Sequence, residues 1–204
     1  MRPLPAVLER TLRLLDHPHK VQDWVAKFPY NTEDCTRSAL GAWQAKAAHC
    51  FEGALLGALA LEYHGHPPYV MDLRGHDEDD HVVALFKLKG RWGAISKTNT
   101  TVLDFRPAFF RDPRELAMSY WAVYFNWKGK YAMKDFAAPI DLRRYKKFDW
   151  RTGEADMADL GWEFNKLKHT VLAKPRELEA LPKVPERLRR AGYLGSDMKG
   201  VRKS

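Results

Sequence analysis

A cysteine, a histidine and two uncharged polar residues set the first question about this chain. Cys50 opens a long apolar stretch (CFEGALLGALALEY), His81 opens an alternating run (HVVALFKL), and Ser96 and Asn99 follow the next apolar run (RWGAI). A thiol at a helix start lies beside amide N–H groups and a partial positive charge, both of which favour thiolate. A histidine within reach takes the thiol proton or pairs with the thiolate. A polar side chain on a neighbouring strand then holds the imidazole in one tautomer. Cys50, His81 and one of Ser96 or Asn99 are the residue types those three roles need. Four acids, Asp77, Glu78, Asp79 and Asp80, precede His81; their charge is expected to keep the imidazole protonated and so to hold a thiolate.

These residues need elements to position them. From Cys50 to Tyr63 the apolar content and two small glycines, Gly53 and Gly57, predict a buried helix that passes close to another backbone. Gly65 is expected to cap it in the left-handed conformation, with Pro67 just beyond. Tyr69–Leu73, His81–Leu88 and Arg91–Ser96 read as strands, the last two joined by a tight turn at Lys89–Gly90. Helix followed by antiparallel strands is an α+β arrangement, with the helix packed on the sheet.

On either side, residues 4–28 read as two short helices broken near Pro18, with no chemistry of their own. Cys35 lies near a second helix start; a small buried apolar role is expected for it. Asp112-Pro113 starts another helix running through Tyr124 and Phe125, and residues 159–171 predict one more. The whole reads as a single domain. It comprises a helical arm (1–34), a core (35–105), an aromatic-rich helical extension (106–173) and a basic tail (174–204), the last partly frayed.

With 204 residues, of which 45% are hydrophobic, the chain can bury one substantial core. No apolar run approaches a membrane span, and the first residues (MRPLPAVLERTLRLL) carry charges unlike those of an export signal. Two cysteines and no such signal make a reducing cytoplasm the expected compartment. The net charge is +8, but the basic residues alternate with acids. His64, His66, His76 and His81 with the neighbouring acids lack a ligand pair at helical spacing, so a solvated acidic loop is expected, with no metal and no cofactor.

The register of these landmarks resembles the core of the transglutaminase-like superfamily, relatives of the papain-like thiol enzymes. Gly65 and Pro67 follow Cys50 by fifteen and seventeen residues, Asp80-His81 opens a strand, and Gly90-Arg91-Trp92 makes the next turn. The resemblance covers about a quarter of the chain, Cys50 to Asn99. It implies a papain/transglutaminase-like core with helical N- and C-terminal arms. It also implies acyl transfer to, or hydrolysis of, an amide or thioester through a Cys50 acyl-enzyme, with a peptide, a protein or a small acyl compound as substrate. Where the family has its third residue, usually Asp, this chain has Ser96. Asn99, three residues on, would restore a Cys-His-Asn set and is the preferred of the two. Gln44, six residues before Cys50, and Trp43, through its indole N–H, are the candidate oxyanion donors. Two other functions stand beside this one. The first is a catalytically inactive relative that binds a peptide or protein. The second is nucleic-acid binding through the basic C-terminal third, where LRRYKKFDW interleaves basic and aromatic residues.

Overall fold

A computed structural model of the chain describes residues 3–76, 80–197 and 199. In chain order the elements are α1 (Ala6–Leu14), α2 (Pro18–Ala26), α3 (Ala39–Ala45), α4 (Cys50–Tyr63), β1 (Tyr69–Gly75), β2 (His81–Leu88), β3 (Arg91–Ile95), β4 (Arg106–Phe110), α5 (Pro113–Trp121) and β5 (Met133–Asp141). A 3-10 helix (Leu142–Phe148) follows, then α6 (Ala158–Asn165), β6 (Thr170–Val171), α7 (Pro175–Glu179) and α8 (Glu186–Gly192). The six strands form one antiparallel sheet in the order β4-β3-β2-β1-β5-β6. The class is α+β, with the Cys50 helix laid on the sheet.

Strand alternation divides the core in two. Val70, Val82, Ala84, Phe86 and Ile95 face α4 and the N-terminal helices. Met71, Leu73, Val83, Leu85 and Ala94 face α5. From Glu52 to Leu61 every residue of α4 is buried, as its nearly unbroken apolar sequence requires. The helix lies so close to β3 that a Cβ on Gly53 would fall on Lys97 Cβ, and one on Gly57 would meet Ala84 and Ile95. Gly65 takes φ +82° just past the end of α4, and Lys89 and Gly90 turn the β2–β3 hairpin with φ of 48° and 78°.

The flanking regions depart from their expected form. The sequence predicts a helical extension over residues 106–173, yet they contribute three of the six strands. β5 was hidden by Pro139, which reads as a break. In the structure the register shifts between Val70 and Asp72 of β1, so the β5 residues Ala138 and Pro139 fall at an irregularity in the pairing, where proline is tolerated. The helix expected over 159–171 ends at Asn165, and its last residues instead form β6. The basic tail holds α7 and α8, and it is tied back by Thr101, whose N–H donates to Gly192 O at 3.0 Å. Among the described residues no helix is long and apolar enough to cross a membrane.

Replacing a helix glycine by alanine ordinarily stabilises by about 1 kcal/mol. At position 53 the clash with Lys97, just past β3, reverses the sign. Gly53→Ala is expected to destabilise the fold by about 1–3 kcal/mol, measured as a lower denaturation midpoint in urea.

Candidate active site

Cys50 is the first residue of α4, and the fold fixes that helix start through a buried carboxylate. Glu52 has no solvent exposure. Its Oε2 accepts from the His49 N–H and from Asn31 Nδ2, both at 2.9 Å, and its Oε1 accepts from the Arg37 N–H at 2.9 Å. His49 completes a capping box, its Nδ1 accepting from the Phe51 N–H at 3.2 Å. Burial holds His49 below the ordinary histidine value in spite of Glu52, so the cap is a neutral acceptor. A carboxylate in the first turn also complements the helix dipole, and one so buried is stable only because its oxygens are fully engaged.

The Cys50 thiol donates to the carbonyl oxygen of Asp80 at 3.7 Å, and Asp80 immediately precedes His81. Asp80 is itself anchored, its Oδ1 accepting from the Gly75 N–H at 2.9 Å. His81 and Ser96 look toward α5, while α4 rests on the opposite face. Cysteine and histidine are therefore brought to one end of β2 from its two faces.

His81 is 5% exposed and Ser96 1%. His81 Nε2 lies 2.9 Å from Ser96 Oγ, and Ser96 Oγ lies 2.5 Å from the Leu103 carbonyl. A serine has one hydroxyl proton. Given to Leu103, it leaves Oγ as an acceptor, so the bond to His81 carries the proton on Nε2 and leaves Nδ1 unprotonated. This network assigns the tautomer. Burial drives the His81 pKa from 6.5 down to about 4, with the Arg106 guanidinium pushing the same way and the Leu103 carbonyl opposing. The expected imidazolium is thereby corrected to a neutral imidazole. Of the acids invoked to protonate it, Asp77, Glu78 and Asp79 lie outside the described residues.

Asn99 does not orient His81. Its Nδ2 donates to Asp197 O at 2.8 Å and its Oδ1 accepts from Asp197 N at 2.9 Å. An amide has both a donor and an acceptor, and the backbone of the C-terminal segment engages both; Ser96 has the contact instead. Gln44 is exposed and faces a groove lined by Arg37, Ser38, Thr152, Gly153 and Glu154, a lining that does not include Cys50. Trp43 packs half-buried against the α4-side core, with Lys46 Nζ 4.1 Å from the centre of its ring. Cys35 sits in the loop before α3, not at a helix start, and burial raises its thiol pKa.

Three features escaped the sequence reading. The first is Gln22 of α2, which is buried and bonded to both backbone groups of Ser96: Oε1 accepts from Ser96 N at 2.8 Å and Nε2 donates to Ser96 O at 2.9 Å. The arm read as having no chemistry thus reaches the site. The second is Lys97, whose Nζ donates to Phe28 O at 2.5 Å and Ala26 O at 3.4 Å, neutralising the carbonyl end of α2. The third is a buried His169–Asp72 pair, 3.1 Å between Nε2 and Oδ2, in which Asp72 raises the histidine pKa. No local pattern marks a glutamine, a lysine or a histidine for a partner 69 to 97 residues away. The one legible signal was Glu52, three residues after a helix cap. It was masked because the cap is histidine and not Ser or Thr. Among the described residues there is no group of three or more His, Cys, Asp or Glu side chains that could hold a metal ion.

No known protein-family pattern matches the chain, and no curated protein matches it. Solved structures do. The chain is similar to LapG of Legionella pneumophila, in an EGTA-treated form, over part of its length. The two are 16% identical, with a TM-score of 0.34, over 44% of this chain and 57% of that one.

The two buried histidines load stability in opposite directions with pH. His81 has a folded pKa below its unfolded value, so its contribution is complete above ~6.5 and is lost as pH falls to about 4. That difference corresponds to about 3 kcal/mol. His169 has a raised folded pKa, so its contribution is complete below ~6.5 and is lost as pH rises through the folded value. Chemical denaturation from pH 4 to 8 is expected to show the acid-side loss diminished in His81→Gln and the alkaline-side loss diminished in His169→Gln.

Proposed function

We propose that this protein is a transglutaminase-like cysteine enzyme that forms an acyl-enzyme on Cys50. The observation that carries the reading is the constellation at the end of β2: a thiol on the first residue of a buried helix, held at the residue before a histidine whose Nε2–H is fixed by Ser96. In this reading the imidazole of His81, which approaches the end of β2 from the face opposite Cys50, must come within reach of the thiol to take its proton, and Cys50 Sγ bonds to the carbonyl carbon of an amide, ester or thioester. The oxyanion that forms is stabilised by the backbone N–H of Cys50; neither Gln44 nor Trp43 is given that role. Collapse breaks the bond to the leaving group, which takes the proton back from His81. Water or an amine then attacks the acyl-enzyme, His81 accepts its proton, and the thiol is regenerated as an acid or a new amide departs.

The resting state in this proposal is a neutral thiol–imidazole pair. A buried imidazole oriented by an uncharged hydroxyl is a weak host for a second proton, whereas a carboxylate partner would favour the ion pair. The base therefore works in the transition state and not by storing thiolate beforehand.

A second reading rests on the same serine. A site that has no carboxylate behind its histidine suits a protein that keeps the fold and binds a peptide without turning it over. One experiment separates the two. With p-nitrophenyl acetate at pH 7.5, the enzyme reading expects a burst of one nitrophenolate per chain and acetate covalently on Cys50 by mass spectrometry. Cys50→Ala abolishes the burst, and His81→Ala slows it by about a hundredfold or more. A thiol acylated at the same rate with and without His81 would leave the binding protein as the better description.

A further inference from the structure

Ser96 can orient His81 only if its own backbone is fixed, and what fixes it comes from the far end of the chain. Gln22 projects from α2 and meets Ser96 with a two-point amide clamp, accepting from its N–H at 2.8 Å and donating to its carbonyl at 2.9 Å. The same Nε2 donates to Asp104 Oδ1 at 2.9 Å, on the loop that brings Leu103 to the Ser96 hydroxyl. Gln22 thus ties together the residue that accepts from His81 and the segment that receives the proton of Ser96. Its primary amide can accept and donate at once, and each of its polar atoms is used. The next residue, Lys97, is held by the same helix through the carbonyls of Ala26 and Phe28 beyond and at its end.

We infer that Gln22 is a positioning residue of the Cys50 site: by clamping Ser96 and the 103–104 loop it determines which nitrogen of His81 carries the proton. Its catalytic consequence rests on the function proposed above; its effect on His81 does not. If the clamp is removed, Ser96 Oγ can turn from Leu103 and donate to the imidazole. That moves the ring proton to Nδ1 and leaves Nε2, beside Ser96, as the basic nitrogen. A purely structural glutamine would lower stability without changing the tautomer.

The test uses the full chain labelled with ¹⁵N-histidine. Long-range proton–nitrogen correlation at pH 7 reads the His81 tautomer, with His81→Gln assigning the signals. The wild type is expected to show Nε2–H alone. Gln22→Met, which keeps the length of the side chain, is expected to show a mixture or Nδ1–H, and alkylation of Cys50 by iodoacetamide about tenfold slower. In a Ser96→Ala background Gln22→Met is expected to add no further change, because the clamp acts through the hydroxyl that is gone. A folded Gln22→Met protein with His81 still wholly Nε2–H overturns the inference, as does an equal effect in the Ser96→Ala background. Should Gln22→Met fail to fold, Gln22→Glu takes its place. It keeps the acceptor for Ser96 N–H, loses the donor to its carbonyl and sets a carboxylate against Asp104; the same shift is expected and an unchanged His81 again overturns it. A wild-type Cys50 inert to acylation would remove the proposed enzyme, while the tautomer comparison would still decide the role of Gln22.

Discussion

A single hydroxyl proton governs the polar chemistry of this fold. Ser96 gives it to the Leu103 carbonyl, and from that choice follow the acceptor role of Oγ, the proton on His81 Nε2 and the lone pair on Nδ1. A carboxylate in the same place would accept from His81 without needing any partner to commit its proton. A serine must be told which way to point, so the loop carrying Leu103, the amide of Gln22 and the carboxylate of Asp104 all become necessary. The uncharged residue is sustained by a larger supporting structure than a charged one would need.

The helix that carries Cys50 obeys a related logic. It is buried on every side, so its position is set by packing, and its two glycines let it lie close on the sheet, Gly53 at a separation from Lys97 that no Cβ allows. Its only charged residue in the first turn, Glu52, is turned inward and answered by Asn31, Arg37 and His49. The consequence is a thiol on a support that cannot shift without opening the core.

How much of this could be read in the sequence depends on how far apart the partners lie. Cys50, the close-packing glycines, the Gly65 cap, the Lys89–Gly90 turn and strands β1 to β3 are local patterns, and they are where the sequence places them. By sequence Ser96 ranks below Asn99, because an amide looks like the better orienter; the C-terminal segment engages both its ends instead. β5 was lost to a proline that a register shift accommodates. Gln22, Lys97 and the Asp72–His169 pair were invisible for one common reason: a buried polar residue announces itself only through partners that tertiary structure supplies. Counting neighbouring acids misplaces the charge of His81 because it ignores desolvation, which here is the largest influence.

The clamp between residues 22 and 96 also orders events in time. Translation delivers α2, the thiol and His81 before it delivers Ser96, the Leu103 carbonyl and the segment around Asp197 that engages Asn99. Contacts of such long sequence separation close late, because the entropy of the intervening loop must be met first. A chain that has emerged only as far as His81 therefore holds that imidazole without its Ser96 partner. The orientation of His81 is a property of the finished fold, absent from every incomplete one.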